Sequence, residues 1–360
     1  MSAASDPDAP LPPGWSKGYS NSQKRHYYVH AQSKHTQWHF PTASEAADPL
    51  KAKRRAEMNK KRQSESLGTI VSKIEVTPKN KQAKRARTQN SFDDGLLAGS
   101  TNLAIIVPYR DLHASQQRAQ HLATFVPHMH SFLGELQVQK KVSDYHIYIV
   151  EQSDDGRKFN RGKLLNIGFD VARKSGRNHD VFIFHDVDLL PQSNLGEWYA
   201  KFPKVPIHIA RVWDRYSNNP KYFGGVVSFS SSDYKRINGY PNTFWGWGGE
   251  DDEMQKRLEK LHIKWEWPTA GTLVDMEEMT LSEKLDFLRS NKEWKCMVKW
   301  EALEEHETTW KTNGLADLKY ALLETKALDN TKKADKLTVD VKLNGSHWTN
   351  EKSGVDYMGS

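Results

Sequence analysis

From Leu103 the chain reads Leu103-Ala-Ile-Ile-Val-Pro108, a short unbroken apolar run closed by proline. That is the pattern of a strand buried on both faces. A helical stretch follows from about 115 to 133, and Tyr145-His-Ile-Tyr-Ile-Val150 supplies a second strand. Between Lys163 and Lys174 the apolar positions Leu164, Leu165, Ile167 and Phe169 form one side of an amphipathic helix. Asp180-Val-Phe-Ile-Phe184 is a third strand and runs directly into His185-Asp186-Val187-Asp188. Strand alternating with helix predicts an α/β domain built on a mainly parallel, doubly wound sheet. Ligands bind such sheets at the carboxyl ends of the strands, where Tyr109-Arg110, Glu151-Gln152 and Asp186-Val187-Asp188 fall.

A second pattern stands at Phe244-Trp-Gly-Trp-Gly-Gly-Glu-Asp-Asp-Glu253. Gly246, Gly248 and Gly249 allow a tight turn and close approach to a ligand. Trp245 and Trp247 offer flat apolar faces of the kind that stack on sugar rings or bases. Met254, Leu258 and Leu261 then recur at helical spacing, which puts Glu250, Asp251 and Asp252 at a helix N-terminus. There the helix dipole favours carboxylates as anions.

The 360 residues accommodate one large domain and a small module. No apolar run approaches the ~18 residues that span a bilayer, and the N-terminus reads as neither a basic nor an apolar signal region. One cysteine, Cys296, excludes an intrachain disulfide and a cysteine-rich zinc site. The expected location is therefore cytoplasm or nucleus, with a Golgi lumen as the alternative if the N-terminus is incomplete. The net charge of +7 is local: residues 51–87 hold thirteen Lys or Arg against three Glu, so the rest is slightly acidic. Residues 44–99 thus read as a disordered basic linker, a spacer or a nuclear-import or polyanion contact. No aromatics are interleaved there, which argues against stacking on nucleic-acid bases.

The strand ends suggest a chemistry. Asp186 and Asp188 are hard oxygen ligands of the type that hold Mn²⁺ or Mg²⁺, ions that commonly bridge a diphosphate. Arg110 and the Phe159-Asn-Arg161 turn stand beside them, and arginine grips phosphate oxygens bidentately. A metal, a diphosphate, an aromatic shelf and a carboxylate at a helix start together describe transfer from a nucleotide-sugar. His262, His306 and His347 are isolated and read as surface residues, and Cys296 has no His-Asp set that would make it a nucleophile. Trp294, Trp300 and Trp310 read as packing or acceptor-side surface.

Residues 11–41, with Leu-Pro-Pro-Gly-Trp15, Arg25-His-Tyr-Tyr-Val-His30 and Thr36-Gln-Trp38-His-Phe-Pro41, closely resemble a WW domain, a three-stranded all-β module. The resemblance implies a buckle of Trp15, Tyr28 and Pro41, and a groove of Tyr27 and Trp38 for a Pro-rich peptide. Further along, Val107-Pro-Tyr-Arg110, Phe159-Asn-Arg161, His185-Asp-Val-Asp188, Tyr222-Phe-Gly-Gly225, Ile237-Asn-Gly-Tyr-Pro-Asn242 and the Trp-Gly-Trp stretch occur in order. They resemble the β-1,4-galactosyltransferase family, most of all its xylosylprotein branch. The strong motifs cover about 103–268, and Thr312-Asn-Gly-Leu-Ala-Asp-Leu-Lys-Tyr320 extends the match towards 345.

This resemblance implies a GT-A fold, a UDP-galactose donor, Mn²⁺ or Mg²⁺, a glycan or glycoprotein acceptor, and inversion. By position it assigns Pro108, Tyr109, Arg110, Phe159, Arg161, Asp186 and Val187 to the donor, with Arg118 as a second donor arginine. Asp188 becomes the metal aspartate and Met276 a second metal ligand. Asp251 is the general base, with Glu250 and Asp252 on sugar hydroxyls. Trp247 closes over donor and acceptor, and Tyr222 favours galactose. The family's further metal histidine is replaced by Met279, with Asp275, Glu277 or Glu278 as possible substitutes. The expected layout is a WW module at 10–43, the linker at 44–99, the transferase domain at 100–345 and a tail at 346–360. Two other readings compete: a catalytically inactive sugar- or nucleotide-binding adaptor working through its WW module, and a nucleic-acid binder using 51–87.

Overall fold

The computed structural model describes residues 10–20, 25–31, 36–37, 101–112, 116–216, 219, 222–341, 349–350 and 355–356. The chain divides into two units, residues 1–91 and 92–360. The expected linker at 44–99 lies outside the described residues.

The first unit holds three antiparallel strands, β1 (Trp15–Ser20), β2 (Arg25–His30) and β3 (Thr36–Gln37), in that order. Tyr28 stands opposite Lys17 on one side and Gln37 on the other. Period-two alternation sends Tyr28 and His30 to the same face, and both are buried together with Trp15. The Trp15 and His30 rings lie 5.3 Å apart. Gly14, at φ +83°, lies so close that a Cβ there would stand 2.7 Å from the imidazole of His30. Two of the three expected buckle residues therefore form a small core, with His30 added. Pro41, Trp38 and the side chain of Tyr27 lie outside the described residues.

In the second unit the run from Thr101 to Tyr109 forms β4, the middle of a seven-stranded sheet. Its neighbours are β5 (Val142–Gln152) and β6 (Val181–His185), both parallel to it. Helix α1 (Arg118–Val138) leads to β5, and α2 (Arg161–Lys174) returns the chain to β6. Because β5 and β6 flank β4 on opposite sides, the chain reverses direction here, and the carboxyl ends of β4 and β6 border a crevice. The sheet is parallel only at its centre. Strand β9 (Val226–Ser230) runs antiparallel to β6, and β8 (Ile207–His208) antiparallel to β9. At the other edge β12 (Ala334–Asp340) is parallel to β5 and β11 (Ala321–Ala327) antiparallel to β12. A short pair, β7 (Leu189–Pro191) with β10 (Leu273–Asp275), ties the segment after β6 to residues more than eighty positions later.

Alternation along β4 feeds two cores. Leu103, Ile105, Val107 and Tyr109 pack with Phe125, Met129 and Leu133 of α1. Ala104 and Ile106 pack with Leu164, Leu165 and Phe169 of α2. The later helices are α3 (Gly196–Ala200), α4 (Ser231–Arg236), α5 (Glu250–Lys260), α6 (Leu281–Ser290) and α7 (Lys299–Thr309). Among the described residues no helix is long and apolar enough to cross a membrane. The reading of His306 as a surface residue is corrected. It is buried, bonded to Thr243 Oγ1 at 2.9 Å and stacked on Phe244.

Helix α2 can lie so close to the sheet because residue 168 has no side chain. A Cβ there would sit 2.4 Å from Ile106 Cγ2 and 2.9 Å from Val150 Cγ2. Gly168→Ala would gain up to about 1 kcal/mol of helix propensity but incur an overpacking cost of about 1–3 kcal/mol. The expected outcome is net destabilisation, read as a lower midpoint in thermal or urea unfolding; an unchanged or raised midpoint would contradict this packing.

Candidate active site

The Trp-Gly-Trp turn needs its glycines. Gly246, Gly248 and Gly249 have φ of +85°, +102° and +111°, and a Cβ on Gly249 would lie 2.2 Å from the Phe244 ring. The turn places α5 with Glu250, Asp251, Asp252 and Glu253 in its first turn, as the spacing predicts. The two tryptophans diverge. Trp247 is half-buried and lines a cavity, its backbone N–H donating to the Trp294 carbonyl at 2.6 Å and its carbonyl accepting from Cys296. Trp245, expected as a stacking face, is instead 2% exposed, inside the core cluster that also takes in residues of α2 and α5. A tryptophan wedged there fixes the turn from beneath. Cys296 is buried and its thiol is pushed up to about 11 by burial, so it stays protonated.

The cavity, about 930 Å³, opens at the carboxyl ends of β4 and β6. Every donor, acceptor and base residue named from the sequence lines it, and so does Asp188; Met276 does not. At its centre is Arg161, the first residue of α2. Its Nε donates to Asp186 Oδ1 at 2.7 Å and one Nη to Asp251 Oδ1 at 3.0 Å, with Glu250 Oε1 at 3.5 Å. The helix start that aims it is fixed by Asn160, whose side chain accepts from the Lys163 N–H at 3.0 Å and donates to the Asn242 carbonyl at 2.8 Å. Three carboxylates thus share one guanidinium. Burial raises the pKa of Asp251 well above the ordinary value against the pull of Arg161, and the charges of Glu250 and Asp186 push it further. Asp186 is pushed up to about 6, by burial first and then by Asp188, against the pull of Arg161.

Asp251 also depends on Gly224, a member of the Tyr222-Phe-Gly-Gly225 motif to which no role was assigned from the sequence. A Cβ on Gly224 would fall 2.1 Å from Asp251 Oδ2, so the carboxylate occupies the space a side chain would take. Asp252 sits at the rim, half exposed, with Lys299 Nζ at 2.6 Å. Tyr222 stacks on Tyr216 at 3.9 Å between centroids and 18° between planes. Tyr216 and Trp213 line the same wall, and neither lies in a readable motif. Arg110 is buried, donating to the Arg157 carbonyl at 2.5 Å and to Asp155 Oδ1 at 3.3 Å.

The metal set implied by the resemblance does not come together. Asp188 Oδ2 accepts from Arg118 Nη1 at 2.7 Å. Burial opposes its ionisation, but Arg118 more than compensates and lowers the Asp188 pKa to about 2. Met276 is near in backbone only, its N–H donating to the Asp188 carbonyl at 2.8 Å, while its side chain packs against the α1-side core. Asp275 is paired with Arg215 at 2.6 Å. Glu277 accepts from Lys284 at 2.8 and 2.9 Å, from Arg215 at 3.0 Å and from Arg118. Among the described residues no three His, Cys, Asp or Glu form a group able to hold a metal ion. The donor atoms present therefore do not fit a divalent ion.

The central sheet, its switch point and the carboxylate-lined crevice define a GT-A-type glycosyltransferase domain. Residues 61–200 match the family described as the N-terminal region of glycosyl transferase group 7, and 205–281 that described as the N-terminal domain of galactosyltransferase. Residues 11–41 match the WW domain. Human β-1,4-galactosyltransferase 4 is 34% identical over 253 residues, 69% of this chain and 66% of that protein. Bovine β-1,4-galactosyltransferase 3 is 31% identical over 261 residues, 72% and 60% respectively. The catalytic domain of Drosophila β-1,4-galactosyltransferase 7, solved with xylobiose, is 27% identical with a TM-score of 0.54, covering 68% of this chain and 95% of that one. A mutant of that enzyme, matching equally well, was solved with manganese, UDP-Gal and xylobiose. The chain belongs to the β-1,4-galactosyltransferase family and carries an N-terminal WW domain. It spans less than two thirds of the length of the curated relatives it matches.

Gly224→Ala is expected to push the Asp251 carboxylate aside and off Arg161, since the new Cβ would lie 2.3 Å from Asp251 Cγ as well as 2.1 Å from Oδ2, so the thermal midpoint should fall as well. With Asp251 as the general base that the resemblance implies, turnover should fall on the order of 100-fold. Steady-state kinetics beside a melting curve checks this, and full activity in the variant would refute it.

Proposed function

We propose that residues 100–345 transfer galactose from UDP-galactose to a hydroxyl of a glycan or glycoprotein acceptor, with inversion at the anomeric carbon. We further propose that the WW module, within 10–43, binds Pro-rich segments and raises the local concentration of partners that carry them. The observation that carries the catalytic reading is Asp251. It stands at a helix start beside Trp247 and Tyr222, in one cavity with the Tyr109, Arg110 and Phe159 wall.

In this reading Tyr109 and Phe159 face the uracil and ribose while Arg110 and Arg118 face the diphosphate. Trp247 covers the galactose and Tyr222 limits the space around its ring. The acceptor oxygen forms a bond to the anomeric carbon from the side of Asp251. Its proton passes to the Asp251 carboxylate as the bond from that carbon to the β-phosphate oxygen breaks. Manganese occupies the related Drosophila complex. Because the donor atoms here do not fit a divalent ion, no step is assigned to one.

The direct test is UDP release from a panel of UDP-sugars and acceptors by the full chain, beside Asp251→Asn. Release from UDP-galactose only, lost in the variant, is expected. Binding of UDP without release from any donor would instead favour the adaptor reading. Asp251 works only when ionised, and its pKa is raised, so activity must be lost as pH falls through a value above the ordinary 3.8. The acid limb of kcat/KM is therefore expected well above pH 4. A profile flat down to that pH would exclude Asp251 as the base.

A further inference from the structure

Where the resemblance implies a divalent ion, the chain supplies positive charge of its own. Arg118 comes from the start of α1, Arg215 from the turn Asp214–Tyr216 and Lys284 from α6. All three line the cavity, and their side chains are only 16%, 4% and 6% exposed. Glu277 joins them. Lys284 Nζ donates to both its oxygens at 2.8 and 2.9 Å, Arg215 Nη1 to Oε2 at 3.0 Å, and Arg118 to Oε1. Arg118 also reaches Asp188 at 2.7 Å, and Arg215 reaches Asp275 at 2.6 Å.

Local sequence builds this arrangement. Thr280 caps α6, its hydroxyl accepting from the Glu283 N–H while Glu283 returns a bond to the Thr280 N–H at 2.7 Å. That fixed first turn directs Lys284 back onto Glu277. The Met279 carbonyl, at the position of the family's metal histidine, accepts from Arg215 Nε at 2.9 Å. His121, which adjoins this group, is committed as well: Nδ1 lies 3.0 Å from Arg118 Nη1, and the ring bonds the Met276 backbone. A divalent ion at Asp188 would have to displace the partly buried Arg118 guanidinium and sit close to an ammonium. A diphosphate meets the opposite situation, since its oxygens can join Glu277 and Asp188 as acceptors for donors already in place.

We propose that this transferase handles its donor without a divalent metal, with Arg118, Arg215 and Lys284 forming a fixed cationic surface for the diphosphate. As the bond to the anomeric carbon breaks, the electron pair stays on the β-phosphate oxygen and the added charge is met by these three side chains. This rests on the UDP-sugar reading above. Arg215 and Lys284 are thereby assigned to donor binding, a role that no motif gives them.

Calorimetric titration of UDP into the full chain, in EDTA and again in Mn²⁺, tests the idea without needing turnover. The expected result is a Kd equal within about twofold in the two buffers, and weakened at least tenfold in EDTA by Lys284→Ala, with Lys284→Arg largely restoring it. Near-UV circular dichroism confirms that both variants are folded. The wild-type comparison needs no variant, so a misfolded Lys284→Ala protein leaves the metal test intact. Binding seen only with Mn²⁺, or a Kd indifferent to Lys284→Ala, overturns the metal-free site while leaving the donor reading in place. Absence of UDP binding in both buffers overturns the donor reading and this inference together.

Discussion

The second unit depends on one largely enclosed guanidinium. Arg161 joins the carboxyl end of β6, through Asp186, to the start of α5, through Asp251 and Glu250. Those carboxylates lie on segments more than sixty residues apart, and without a shared cation they would repel one another at short range. Removing one partner from such a buried set costs about 3–5 kcal/mol, since the remaining charges are left uncompensated. The same contact therefore closes the tertiary structure and poises the carboxylates.

Placing that guanidinium takes several layers of sequence. Gly168 lets α2 approach Ile106 and Val150. Asn166 Nδ2 donates to the Tyr240 carbonyl at 2.8 Å and to Asn242 Oδ1 at 2.9 Å, fastening α2 to the segment before the Trp-Gly-Trp turn. Buried Arg257 holds the far side of α5, with Nε on Glu253 at 3.0 Å and Nη groups on the carbonyls of Gly239 and Asn313. These amide and guanidinium bonds satisfy backbone carbonyls that irregular, buried loops would otherwise leave bare. Rigidity of the site thus comes from polar satisfaction of loops as much as from apolar packing.

Much of this was legible in the sequence, for identifiable reasons. Strands β4, β5 and β6 are buried on both faces, so their runs are continuous, and the second crossover helix carries a clear apolar side. Strands β9 and β12 escaped because Ser228 and Ser230 interrupt the first and Lys336 and Thr338 the second, and short mixed strands carry little periodic signal. Residues on local motifs, from Pro108 to Trp247, gather in one cavity as the strand-end rule predicts. Trp245 was misjudged because an aromatic face reads alike whether it stacks on a ligand or fills a core. Lys284 and Arg215 were invisible because their meaning lies in partners far along the chain, and Gly224, although inside the Tyr222-Phe-Gly-Gly225 motif, received no role because the carboxylate it makes room for lies on a distant segment. For Lys284 only the Thr-x-x-Glu start of its helix could have hinted at its direction.

The two ends of the cavity differ in charge balance, and that difference has chemical consequences. Around Arg161 one cation faces Asp186, Glu250 and Asp251, so protonation relieves excess negative charge there, and the pKa values are raised. Around Glu277, by contrast, three cations face Asp188, Asp275 and Glu277, and the pKa values of Asp188 and Glu277 are lowered. Asp275 departs from that trend, since burial outweighs Arg215 and raises it. One end is therefore ready to take up a proton, and the other retains cations able to meet an arriving anion. A group transfer that moves a proton one way and negative charge the other requires this polarity. Among the described residues that polarity comes from side chains held by ion pairs between distant parts of the sequence.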